Sequence, residues 1–182
     1  MNNVMKHFKL LALLCMLGVG FASCEKNQKS EWNNFYGYTN ADVIGTYSFS
    51  NVPGAFDQVE GVGRYACPDA EVRILVSSQN PDMLRFEINC PDENYTRTIE
   101  DYATPNDEDF MLRMSSGYIH TGGKVKVYEV NAHVMKNAKQ EIRLSGFSAV
   151  NTYVEIINQE TGAVIKYEKV DGISYYFDVI KN

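Results

Sequence analysis

Hydrophobic and polar residues alternate along most of this chain with a period of two, the pattern of strands that turn one face to a core and the other to water. Val72, Ile74 and Val76 alternate with Glu71, Arg73 and Leu75, while Leu84, Phe86, Ile88 and Cys90 alternate with Arg85, Glu87 and Asn89. The pattern recurs over residues 43–52, 59–66, 95–102, 110–114, 124–135, 141–147, 152–158, 163–170 and 173–180. That makes about ten or eleven strands, one per dozen residues or so, the spacing of an all-β barrel or sandwich. Short polar segments at 136–139, 158–162 and 170–172 read as hairpin turns, so the last four strands are expected to form a meander. Within 124–135 the apolar phase changes between Val127 and Tyr128, which predicts a bulge or bend there. At most one turn of helix is expected, in the acidic segment 103–109. Residues 42–182 are enough for one domain around one core. Closing the sheet would remove its exposed edges, so the expected fold is a single antiparallel β-barrel of about eight to ten strands, with a β-sandwich as the alternative.

The first residues follow another pattern. Lys6 and Lys9 form a basic head, and residues 10–21 are an uncharged apolar run too short to span a bilayer. They lead into Phe21-Ala22-Ser23-Cys24, which resembles the lipobox of bacterial lipoproteins, departing from it in having Phe21 where Leu, Val or Ile is usual. The resemblance implies a signal peptide over residues 1–23, cleavage before Cys24, and acylation of its thiol and new amine. Two or more acyl chains anchor stably where one does not. Residues 24–41 then comprise the lipidated cysteine, a polar tether and an aromatic arm carrying Trp32, Phe35, Tyr36 and Tyr38, expected to pack on the domain. The expected location is the cell envelope, on its periplasmic or surface face, with the membrane as a partner through the lipid.

Cysteine usage fits export. With Cys15 in the signal and Cys24 acylated, only Cys67 and Cys90 remain in the fold, and each opens the same tripeptide, Cys-Pro-Asp. The pair is read as a disulfide at two strand ends, with two free thiols as the alternative. Charge narrows the partners. The chain has 17 basic and 23 acidic residues, and loss of Lys6 and Lys9 leaves the mature part at −8. Such a surface repels nucleic acid, and basic residues interleaved with aromatics are missing.

Ile44-Gly45-Thr46-Tyr47, followed by a hairpin series to the C-terminus, resembles the Gly-x-Trp/Tyr opening of lipocalin-like and calycin-like domains of exported Bacteroidetes lipoproteins. The resemblance implies a barrel that holds an apolar ligand or packs its own core. It carries no pocket residues over one by one.

No catalytic motif is complete in this sequence. His120 and His133 sit in no metal-ligand motif, and no Gly-x-Ser-x-Gly elbow occurs. Gly122-Gly123-Lys124 misses the phosphate-loop spacing and reads as a hairpin turn, and Gly61-Val62-Gly63 reads as a bulge or tight bend. The acidic run 106–109 lacks the spacing of a calcium loop. No catalytic residue, metal or cofactor is assigned. Tyrosine is the remaining signal, with 12 in the chain. Its flat face and polar tip suit both glycan platforms and sheet packing. Alternation over 173–180 puts Tyr175 with the core and Tyr176 opposite, so Tyr176, with Tyr47 of the first strand, is a candidate ligand contact. The expected function is a non-enzymatic binding protein for a small amphipathic or glycan-like ligand. The alternative is a structural or interaction lipoprotein of an envelope complex with a filled barrel.

Overall fold

The computed structural model describes residues 31–103, 109–121 and 123–182. The signal segment, Cys24, most of the acidic segment 103–109 and Gly122 lie outside them. The elements are β1 (Asn33–Asn34), α1 (Asn40–Val43), β2 (Gly45–Phe49), β3 (Arg64–Ala66), β4 (Glu71–Val76), β5 (Leu84–Cys90), β6 (Tyr95–Asp101), β7 (Met111–Thr121), β8 (Lys124–Lys136), β9 (Ile142–Ile157) and β10 (Val164–Lys181). The all-β expectation holds, and Trp32 to Asn182 form one compact unit.

All ten strands belong to one sheet. Its main path runs β1-β8-β9-β10-β2-β4-β5-β6, with β7 also on β8 and β3 also on β10. Pairing is antiparallel except for β3, which runs parallel to β10 at Ser174–Tyr176. On the same edge of β10, β2 takes Val179–Lys181. The sheet curls far enough to bring β6 beside β7, where the Ser115 N–H donates to the Asp101 carboxylate at 2.7 Å. It does not close into the expected barrel. At this seam a side-chain carboxylate takes the amide that a backbone carbonyl would take in a closed ladder, so β6 and β7 remain ends of an open sheet.

Alternation directs one face of every major strand inward. Val72 and Ile74 on β4, Leu84, Phe86 and Ile88 on β5 and Ile99 on β6 are buried against Leu112, Val130, Leu144 and Phe177 from the other half of the sheet. The row Phe177–Gly146–Ala132 sets one large ring beside two small residues across three strands. A Cβ on Gly146 would lie 2.0 Å from the Asn131 carbonyl oxygen, so only glycine fits there.

Two turns read from sequence resolve differently. Residues 158–162 do turn, but 170–172 do not, because β10 runs straight through with register shifts between Val164 and Lys166 and between Lys169 and Asp171. Residues 141–147 and 152–158 likewise fall within one long strand, β9. The bulge expected near Tyr128 is absent from β8, whose register with β9 is unbroken from Lys124 to Lys136. The irregularity sits opposite, in β7 between Ser116 and Ile119. The phase change in β8 has another cause: Val130, Ala132 and Val134 face the core, and Val125 and Val127 are buried on the opposite face.

Three of the arm's four aromatics pack on the domain, while Tyr36, edge-on to Phe110, is 54% exposed. Tyr38 is buried and its hydroxyl donates to the Met111 carbonyl at 3.0 Å, Phe35 packs against the core, and Trp32 stacks on the Arg143 guanidinium. Arg143 in turn grips Asp178 with two parallel hydrogen bonds of 2.6 and 2.5 Å, and both residues are buried. Cys67 and Cys90 form a disulfide with Cα atoms 5.7 Å apart. Their two Cys-Pro-Asp turns also meet through the Asp92 N–H, which donates to Asp69 Oδ2 at 2.9 Å.

Candidate functional site

The interior of the curled sheet is filled by its own side chains: Tyr47, Phe86 and Phe177, the largest of them, are each at most 1% exposed. Among the described residues, room for a ligand lies on the other face, across β7, β8 and β9 and onto β10, and in a separate cleft of about 370 Å³ lined by Asp42, Lys136, Glu141 and Lys181. Pairing of β8 with its neighbours places Glu129 opposite Ser115 on β7 and Ala149 on β9. Two residues along, Val127 lies opposite Asn151, and Val125 opposite Tyr153, all on this outer face. After the register shift at Val170, Lys169 and Tyr167 of β10 come onto the same face beside Tyr153 and Glu155.

Three adjoining clefts result, and all share Glu129. The first, about 450 Å³, is lined by Val125, Val127, Tyr153, Tyr167, Ser115 and Glu129. It combines an apolar floor, two phenol rings and a carboxylate with a hydroxyl. The second, about 310 Å³, continues over Ser115 toward Asp101, Arg113 and Asn131. The third, about 470 Å³, runs over Asn151 toward Phe147 and Tyr176, with Arg64 and Lys169 as its basic groups.

Glu129 is positioned from its neighbour. Asn151 Nδ2 donates to Glu129 Oε2 at 2.9 Å across the β8–β9 ladder. Asn151 is itself only 4% exposed, and its Oδ1, which meets no hydrogen-bond donor, is tucked under Gly172. A Cβ on Gly172 would come within 2.5 Å of that oxygen, so the glycine makes the space in which Asn151 sits. Burial, and then the Glu129 carboxylate, push the Tyr153 hydroxyl above the usual tyrosine range, so it stays a neutral donor. A carboxylate and a hydroxyl among ring faces can take the hydroxyls of a polyol while its C–H surface lies on the rings.

The sequence candidates separate. Tyr176 lies on the outer face, where it lines the third cleft with its ring 5.4 Å from that of Phe147. Tyr47 is wholly buried and its hydroxyl donates to the Val43 carbonyl at 2.5 Å, which places it in the core away from the clefts. Tyr175 packs against the core, stacked on Tyr95 with centroids 3.7 Å apart. Gly61-Val62-Gly63 is a tight bend with positive φ at both glycines, and Gly63 comes so close to Gly172 that a Cβ would lie 2.6 Å from its carbonyl oxygen. The side chain of His133 packs edge-on against Phe110, and that of His120 lies outside the described residues. Sequence reasoning missed Glu129, Asn151 and Tyr153. The sole signal for them was the burial of Val125 and Val127 out of phase with the rest of β8.

No protein-family model, curated protein or solved structure matches this chain.

Proposed function

We propose that this chain is an envelope-anchored lipoprotein that acts without catalysis, binding a small amphipathic or glycan-like ligand on the outer face of its sheet. The observation that carries the reading is the first cleft, where Tyr153, Tyr167, Glu129 and Ser115 line one cavity with Val125 and Val127. Rings and aliphatic side chains suit the apolar side of such a ligand, and the carboxylate and Ser115 suit its hydroxyls. Anchoring through Cys24 follows from the lipobox resemblance and from the polar residues between Cys24 and Trp32. Among the described residues no helix is long and apolar enough to cross a membrane.

Two measurements test this. Mass spectrometry of the N-terminal peptide from native membranes should find Cys24 acylated, and an unmodified Cys24 refutes the anchor. Native mass spectrometry of the full chain, released from detergent, should find a retained small molecule or uptake from libraries of oligosaccharides and fatty-acyl compounds. Failure to retain or take up any of them removes the binding reading.

The second reading, a structural or interaction lipoprotein, is favoured by the filled interior and by the apolar residues exposed on the β9–β10 hairpin, among them Ile157 and Ile165.

A further inference from the structure

The β9–β10 hairpin outruns the rest of the sheet. The last residue that β8 pairs on β9 is Val154, while β3 and β2 meet β10 only from Ser174 onward. Among the described residues, 164–173 of β10 therefore have β9 on one side and no strand on the other. An open edge is a template for another strand, and it is usually guarded by charges or bulges. Here the exposed side chains are apolar as well as charged: Ile165 is 64% exposed, Val170 53% and Tyr167 52%. Between the two register shifts lies a regular run, Lys166-Tyr167-Glu168-Lys169.

We propose that this edge pairs with the same edge of a second copy of the chain, antiparallel and centred on Tyr167. Symmetry and charge together select the register. Hydrogen-bonded and non-hydrogen-bonded pairs alternate along an antiparallel ladder, so a two-fold axis can pass only through a residue facing its own copy. Centred on Lys166 or on Glu168, the pairing sets like charges directly opposite each other, which is destabilising. Centred on Tyr167, it sets Lys166 opposite Glu168 twice, once on each side of the axis, and brings the two tyrosines side by side. Within one protomer Lys166 and Glu168 already share a face, 3.4 Å apart, so the four charges form one alternating cluster across the joint.

The test is sedimentation velocity of the full chain in a density-matched detergent over a range of protein concentrations, with variants that change only the edge charges. Wild type should sediment as a dimer at high concentration. Lys166→Glu alone and Glu168→Lys alone should each weaken dimerisation about tenfold, since both cross-strand pairs turn repulsive. The double variant Lys166→Glu with Glu168→Lys should restore it, a rescue that misfolding cannot imitate. Oxidation of Tyr167→Cys should yield a cross-linked peptide joining the two 167 positions. A monomer at every concentration, a dimer indifferent to the single charge changes, a hairpin that binds detergent as a monomer, or a cross-link elsewhere overturns the proposal.

Discussion

At the scale of single residues, the most consequential pair is Arg143 and Asp178. The two hydrogen bonds satisfy a carboxylate that is 1% exposed, and Trp32 covers the guanidinium. Removing one partner of a buried ion pair leaves the other charge without compensation, a loss larger than the net worth of the pair itself. Arg143→Ala is therefore expected to lower unfolding free energy by about 3–5 kcal/mol in urea denaturation. A loss under about 1 kcal/mol would mean that Asp178 finds water in the variant. Nothing in the sequence announces this pair, since Arg143 and Asp178 are 35 residues apart and each falls on the polar phase of its own strand. Tyr47 and Tyr176 show the opposite case. Both have the same chemistry, and strand parity separates them: the alternation that puts Phe177 and Val179 inside puts Tyr176 outside, and Tyr47 falls on the inward phase of β2.

At the scale of elements, legibility followed how many faces of a strand are buried. In β4, β5 and β6 one face is core and the other meets water, so alternation marks them within a residue or so. In β8 both faces are buried over part of the length, and the change of phase read as a bulge. In β10 the Asp171-Gly172 pair has the composition of a turn, yet Gly172 serves as a place for Asn151 to sit, and a strand bulge uses the same residue types as a turn. The Glu129 site was hidden for a related reason: it is made by the β8–β9 register, which joins residues 22 apart. The N-terminal arm offers a pH test. Burial above all, and then Asp109, raise the Tyr38 phenol from 10.0 to about 12. A folded-state value above the unfolded one contributes stability that is complete below pH 10 and is lost as pH rises toward 12. Tyr38→Phe should therefore flatten the fall in stability across that alkaline window, as followed by denaturant midpoint. An unchanged slope would show that folding does not raise the Tyr38 phenol.

Among the described residues, the unit from Trp32 to Asn182 is a single sheet wound around one core and left open between β6 and β7. The disulfide ties the two Cys-Pro-Asp turns, closing a loop with a sequence separation of 23. In the chain-entropy account a loop of that size is worth about 3 kcal/mol, so Cys67→Ser and Cys90→Ser should each lower stability by about that amount. Because neither cysteine lines any of the three clefts, neither change should alter ligand preference. Free thiols in protein from native membranes, or serine variants as stable as wild type, would contradict this.

On the proposed reading, the outer face of β7–β10, not the interior of the curled sheet, receives the ligand. Backbone amide chemical shifts of the full chain in detergent, recorded while oligosaccharide and fatty-acyl libraries are added, address it residue by residue. Saturable changes are expected at Val125, Val127, Glu129, Tyr153 and Tyr167. Changes centred instead on Tyr47, Phe86 and Phe177, or none with any compound, would contradict it.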